Sequence, residues 1–185
     1  TDWKTFVPTS CGKPALHQEV RIDSVDPENV PGEILTKGPN VLLGYYKNEE
    51  ATRQVLDADG WFHTGDLGTM DADQNIFIKG RSKNMLLGSN GQNIYPEEIE
   101  DKLNSLPLVS ECLVVQRGEK LVGLVYADAE EAKELGLNEA DLKKLMEENK
   151  KQLNDSTPAY CKLSDIEIME EEFMKTPKRS IKRYL

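Results

Sequence analysis

Residues 80–100 read GRSKNMLLGSNGQNIYPEEIE, and the chain changes style inside them. Gly80 is followed by four polar residues, Arg81, Ser82, Lys83 and Asn84. A connection without apolar side chains between two differently built segments is where a domain boundary and a hinge belong. Taken alone, the same residues also fit a solvated hairpin turn. Beyond them, KNMLLGSNGQNIYP reads as a strand, a tight turn and a short strand. Pro96 then takes the first helical position, with Glu97 and Glu98 in the first turn, and both choices suit a helix N-terminus.

Downstream, Ile99 and Leu103 share a helix face. VSECLVVQRGEKLVGLVYAD is two apolar runs around a polar turn, a hairpin signal. NEADLKKLMEENKKQLN opens with Asn138 as N-cap and Asp141 three residues on, and Leu142, Leu145, Met146 and Leu153 form one apolar stripe. KLSDIEIM alternates like a strand. Upstream, residues 1 to about 80 are rich in Gly, Pro, Asn and Asp. QEVRIDSV, PGEILTKG and QNIFIKG read as short strands bounded by turn residues. One helix is expected at NEEATRQVLD, capped by Asn48. The fold class expected is α+β, a β-rich unit followed by a small unit with helices on a short sheet.

The chain has 185 residues, 33 acidic and 23 basic, for a net charge of −10. That balance excludes a general nucleic-acid binder, which would be basic or carry a basic face. The three cysteines, Cys11, Cys112 and Cys161, are widely spaced and give neither a disulfide framework nor a zinc signature. They read as reduced cytosolic thiols, so a cytoplasmic location is expected. No apolar run approaches the roughly 20 residues of a bilayer span, which leaves room only for peripheral membrane association. Chain position 1 is Thr, as expected of a piece of a longer chain.

Two local stretches could carry chemistry. In GWFHTGDLG, Gly60, Gly65 and Gly68 permit sharp turns or close approach of a ligand. Asp66 could accept hydrogen bonds from two neighbouring hydroxyls, or simply stabilise a turn. His63, a lone imidazole among aromatics, reads more readily as structural than as an acid or base. At the other end, KTPKRSIKRYL places five basic residues among the last eleven, just after the acidic EIMEEEF. A local basic tip on an acidic protein fits a small anion or an acidic partner, or a solvated tail.

The order of these stretches is more specific than any of them. GEILTKGPNVLLGYYKNEEAT, GWFHTGDLG, GRSKNMLLGSNGQNIYPEEIE and the terminal TPKRSIKR together resemble the carboxyl-terminal part of the adenylate-forming superfamily. Those enzymes include acyl-CoA synthetases, luciferases and peptide-synthetase adenylation domains. The resemblance looks closest to bacterial long-chain fatty-acid–CoA ligases. It implies a reaction in which a carboxylate joins ATP, pyrophosphate leaves, and the acyl group passes from AMP to the CoA thiol. It implies that residues 1–82 are the last, β-rich subdomain of a large amino-terminal domain, and residues 83–185 the mobile carboxyl-terminal domain. ATP and CoA are then the expected substrates with a fatty acid. Mg2+ is expected in the part of the family enzyme not represented here, with no metal ligand in this chain. Alone the chain is expected to be inactive and, through exposed apolar surface, prone to self-association.

By motif, the resemblance assigns Asp66 to the ribose hydroxyls of ATP, with Arg81 and Thr64 also in the nucleotide site. It makes Lys83 the hinge and Gly91 part of the loop on the CoA side, where bulk would obstruct the pantetheine arm. The family tail reads roughly TP-x-x-K-I-x-R, and its lysine neutralises charge as the carboxylate attacks the α-phosphate. Aligning Thr176, Pro177, Ile181 and Arg183 puts Ser180 where that lysine belongs. Lys178 and Lys182 flank it, and at strand spacing all three would point one way. Either lysine could substitute, with Lys178 favoured by the flexible loop before it. The alternatives are a medium-chain, aryl or carrier-protein-loading ligase, or a non-catalytic module that has lost the tail lysine.

Overall fold

In the computed structural model, which describes residues 6–183, the chain divides into two compact units, Thr1–Asn84 and Met85–Leu185. Both are built from local features the sequence encodes plainly.

The first unit is a four-stranded antiparallel sheet in sequential order: β1 (Glu19–Asp23), β2 (Gly32–Lys37), β3 (Phe62–Met70) and β4 (Ile76–Arg81). Helix α1 (Glu49–Val55) lies between β2 and β3 in the chain. The Asn48 side chain caps it by accepting from the Ala51 amide at 3.0 Å. The core is small, with Ile22, Ile34 and Ile76 buried together. Leu16, Val25, Leu43 and Tyr46 are exposed.

GWFHTGDLG belongs largely to β3 and is not a free turn, which the glycines concealed. Gly68 has no room for a side chain, since a Cβ there would lie 2.6 Å from the Phe77 carbonyl oxygen and 2.8 Å from Ile34 Cδ1. Gly65 has φ +71°, a left-handed conformation that suits glycine, next to register shifts in both neighbouring ladders. The glycines therefore serve close packing and an irregular strand.

The second unit begins with a short hairpin, β5 (Leu86–Leu87) and β6 (Asn93–Ile94), closed by a turn in which the Gly91 amide donates to the Gly88 carbonyl. Helix α2 (Pro96–Asn104) follows, then the long hairpin β7 (Val109–Arg117) and β8 (Lys120–Ala127). Helices α3 (Ala129–Glu134) and α4 (Glu139–Asp155) lead to β9 (Leu163–Met169), which joins β8 in parallel to complete the order β7-β8-β9. Asn138 and Asp141 form a reciprocal capping box at the start of α4. Helix α3 is an addition to the sequence reading. It is one short turn and a half, started by Asp128 accepting from the Glu130 and Glu131 amides, and six residues are too few to display a period.

The core of this unit lies between the sheet and α2 and α4. Leu103 and Val125 are fully excluded from solvent, with Ile99, Val114, Met146 and Leu153 beside them. Each contributes roughly 1.5–3 kcal/mol by leaving water. One polar residue sits inside the α4 stripe: Asn149 is 2% exposed and donates to the Pro107 carbonyl at 2.9 Å, tying α4 to the loop before β7.

Cys112 on β7 is buried against α2, and burial, aided by the Glu100 charge, pushes its thiol from the ordinary 9.0 up to about 12. A raised native pKa means that the native state keeps a proton the unfolded chain releases. Its stabilising share is complete below pH 9 and is lost as pH climbs toward 12. Alkaline unfolding should therefore lose stability more steeply in wild type than in Cys112→Val over that interval, measured by urea titration at each pH. In the native protein at pH 8, iodoacetamide should label exposed Cys11 and leave Cys112 unmodified until urea is added.

Candidate functional site

In the first unit, the irregular strand β3 gathers Thr64, Asp66 and Arg81. Glu33 on β2 holds the irregularity: one carboxylate oxygen accepts the Gly65 amide at 2.9 Å and the other meets His63 Nδ1 at 2.8 Å. The Thr64 hydroxyl donates to the Ile34 carbonyl at 2.7 Å and accepts the Asp66 amide at 3.0 Å. Residues 64–66 are thus fixed from both sides. Asp66 lies directly across the ladder from Arg81 on β4. The Arg81 guanidinium reaches Asp66 Oδ1 at 3.0 Å and the Thr64 carbonyl at 2.9 Å through the same nitrogen, Nη1.

The Asp66 and Arg81 side chains are 35% and 50% exposed. An ion pair in that setting is worth about 0–1 kcal/mol, so an incoming ligand could part the two groups at small cost. The pairing presents a carboxylate that accepts and a guanidinium that donates, side by side. His63 has a carboxylate near each ring nitrogen, Glu33 at Nδ1 and Asp57 at 4.0 Å from Nε2. Held this way it supports the strand. Glu33 is the residue that sequence reading missed here, because nothing in PGEILTKG marks partners so distant in the chain. Lys83 lies in a single 3₁₀ turn, Ser82–Asn84, next to the division between the units.

In the second unit, the loop of the β5–β6 hairpin carries Gly91 at φ +77°, where a Cβ would meet nothing within 4 Å. Within this unit, backbone conformation rather than bulk requires glycine at that position. Gln116 on β7 donates to the Leu87 carbonyl at 3.1 Å and steadies the hairpin. Beside the loop is a cavity of about 490 Å3 whose lining includes Gly88, Asn90, Lys120, Tyr160 and Lys162, with Glu119 as its acidic member.

The basic tip is a hairpin, and this corrects one premise of the sequence reading. The Thr176 amide donates to the Ser180 carbonyl and the Lys182 amide to the Met174 carbonyl, both at 2.8 Å, with Lys175 facing Ile181 across the ladder. The Arg179 amide closes the turn onto the Thr176 carbonyl, and Arg179 has φ +62°. Lys178 therefore lies in the turn and does not share a strand face with Ser180. Along the two limbs the alternation is regular: Lys175, Ile181 and Arg183 fall on one face, and Thr176, Ser180 and Lys182 on the other.

The first face carries the ion pairs of the tip. Lys175 pairs with Glu111 on β7 and lies 3.1 Å from Glu172. Arg183 pairs with Glu100 on α2, with Glu97 at 3.6 Å. Glu100 is only 9% exposed, and its other oxygen accepts the Val114 amide at 2.7 Å. Burial raises the Glu100 pKa, a tendency that the Val114 amide and the Arg183 guanidinium oppose. On the outer side Lys178, Arg179, Ser180 and Lys182 are exposed, and the three cations have no ion pair among the described residues. The described residues place no three His, Cys, Asp or Glu side chains to hold a metal ion, and no described helix is long and apolar enough to cross a membrane.

A family model described as the AMP-binding enzyme C-terminal domain matches residues 83–185. Among curated relatives, the 2-succinylbenzoate–CoA ligase of Bacillus cytotoxicus is 45% identical over 119 residues, covering 63% of this chain and 24% of the relative. The feruloyl-CoA synthase of an Amycolatopsis species is 44% identical over 110 residues, 57% of this chain and 22% of the relative. The chain thus spans about a quarter of the length of the relatives it matches. Among solved structures, the anthranilate CoA ligase AuaEII in complex with anthranoyl-AMP superposes with a TM-score of 0.76 at 26% identity, over 95% of this chain and 33% of that one. With a family model covering more than half of its length, the chain belongs to the AMP-binding enzyme C-terminal domain family, the carboxyl-terminal portion of the adenylate-forming superfamily.

Proposed function

We propose that this chain forms the carboxyl-terminal part of an ATP-dependent acid–CoA ligase acting on an aromatic or aryl-bearing carboxylic acid. The long-chain fatty-acid reading finds no support: the named relatives are ligases for 2-succinylbenzoate, ferulate and anthranilate. The wider class, acid plus ATP plus CoA, agrees with all of them. The observation that carries the CoA assignment is the cavity beside the Gly91 loop, with Lys120, Lys162 and Tyr160 in its lining. Two ammonium groups and an aromatic ring suit a nucleotide bearing phosphates and a planar base.

In this reading Asp66 accepts the ribose hydroxyls of ATP and Arg81, released from it or shared, contacts the same nucleotide, with Thr64 holding the strand in shape. Residues 1–82 then stand for the end of the large domain and Lys83 for the pivot. The basic tip meets the α-phosphate as the carboxylate oxygen bonds to phosphorus and pyrophosphate leaves. CoA sulfur next bonds to the acyl carbon, AMP departs with the C–O electron pair, and the thiol proton is given up to solvent. Lys182 shares the outward face with Ser180, whereas Lys178 reaches from the turn, so Lys182 takes the role the sequence reading gave first to Lys178. Inactivity of the 185-residue chain alone, and its self-association through exposed Leu43, Tyr45 and Tyr46, stay part of this proposal.

Two variants of the intact enzyme separate the assignments. Asp66→Ala should raise the KM for ATP by about 10- to 100-fold, the loss of one or two charge-assisted hydrogen bonds, with the KM for CoA unchanged. Unchanged ATP dependence would remove Asp66 from the nucleotide site. The double variant Lys120→Ala/Lys162→Ala should weaken CoA by about tenfold or more and leave pyrophosphate release intact. Equal CoA affinity in the variant would place the CoA nucleotide elsewhere.

A further inference from the structure

The acidic body and the basic tip meet at two places, and both use carboxylates that the sheet and helix α2 have already partly withdrawn from water. Arg183, on one limb of the terminal hairpin, closes on Glu100, whose other oxygen is committed to the Val114 amide. Lys175, on the opposite limb, closes on Glu111 of β7, whose side chain is 18% exposed. A carboxylate withdrawn from water without its cation is costly, so each glutamate favours one register of the hairpin, the register that brings Lys175 and Arg183 onto Glu111 and Glu100. Because side chains alternate, that same register turns Ser180 and Lys182 outward and leaves Lys178 and Arg179 at the turn.

We infer that the Glu100–Arg183 and Glu111–Lys175 pairs are a two-point clamp that fixes the projection of the basic hairpin, making Glu100 and Arg183 positioning residues for formation of the acyl-adenylate. This rests on the ligase reading above for the reaction, though not for the clamp. Neither residue touches substrate. Their effect is carried by the orientation of the outward cations, and a displacement of about 1 Å at a reacting group can cost on the order of 100-fold in rate. The clamp lies wholly on the carboxyl-terminal unit. It should therefore act on the adenylate-forming step, to which the proposed function assigns the hairpin, and spare the thioester step.

The test has two arms. In the 185-residue chain, hydrogen exchange is followed at the Thr176 and Lys182 amides, with the β8 amides as reference, for wild type, Arg183→Ala, Arg183→Lys and Glu100→Gln. The clamp predicts that Arg183→Ala and Glu100→Gln lose at least about tenfold protection at Thr176 and Lys182 while β8 is unchanged. Arg183→Lys should recover part of the loss. Equal protection in all four proteins would overturn the clamp. Should Arg183→Ala fail to fold, Glu100→Gln decides, because its amide oxygen can still accept the Val114 amide.

In the intact enzyme, pyrophosphate release and CoA transfer from supplied acyl-adenylate are measured separately. Positioning predicts a loss of about 100-fold in the first and less than about threefold in the second, with Arg183→Lys intermediate in the first alone. Parallel loss of both steps, or a freed hairpin with undiminished pyrophosphate release, would overturn the positioning role. If the wild-type enzyme forms no acyl-adenylate with any acid, the ligase reading fails, and the exchange arm still decides the clamp.

Discussion

Glu100 is the constraint around which the carboxyl-terminal unit is arranged. Its side chain leaves α2 and enters a site that water hardly reaches, and there it must satisfy two oxygens. One takes the Val114 amide and so fixes the distance between α2 and β7. The other takes Arg183 and so ties the second limb of the basic hairpin to α2. Burial alone would favour a protonated acid, and only the amide and the guanidinium oppose that. The nearby Cys112 thiol experiences the same charge and the same burial, and for both reasons it holds its proton. Helix, sheet and tail are in this way linked through one side chain.

The charge pattern of the sequence follows from that linkage. An acidic protein ending in a basic segment looks at first like a body and a tail attracted nonspecifically. The terminal hairpin instead separates its cations by the geometry of a strand. Lys175 and Arg183, which share one face, are paired with half-buried and buried carboxylates. The cations at the turn and on the other face remain exposed to whatever anion approaches. The tail can therefore be structurally neutralised and chemically electropositive at once. Ser180 lies among the exposed residues, beside Lys178, Arg179 and Lys182.

Much of this was legible in the sequence, for physical reasons that differ by element. The caps at Asn48 and Asn138 and the Pro96 start are local chemistry, and the structure repeats them residue for residue. The apolar runs on either side of RGEK pair as the hairpin they suggest. The short α3 was not legible, since six residues show no period. The nature of GWFHTGDLG was obscured by its glycines, which answer to close packing at Gly68 and a left-handed bond at Gly65 and not to a loop. In the candidate sites, Asp66 and Arg81 could be singled out from motif order. Glu33, which holds Gly65 and His63, and Glu100 and Glu111, which hold Arg183 and Lys175, could not, because long-range pairs leave no local mark. The turn that takes Lys178 off the strand face of Ser180 could not be read either, because strand spacing alone does not reveal it.

An exposed carboxylate–guanidinium pair, a cavity with two lysines in its lining and a basic hairpin held by ion pairs stand in a chain similar to a 2-succinylbenzoate–CoA ligase and a feruloyl-CoA synthase. In the proposed function these features serve acid activation followed by thiol capture. The most direct measurement is acid-dependent exchange of labelled pyrophosphate into ATP by the intact enzyme, across a panel running from benzoates and cinnamates to long-chain fatty acids, repeated with CoA present to detect thioester. Aromatic or aryl-bearing acids should drive the exchange and be converted to CoA thioesters. Exchange driven only by long-chain fatty acids, or no exchange with any acid, would overturn the proposed function.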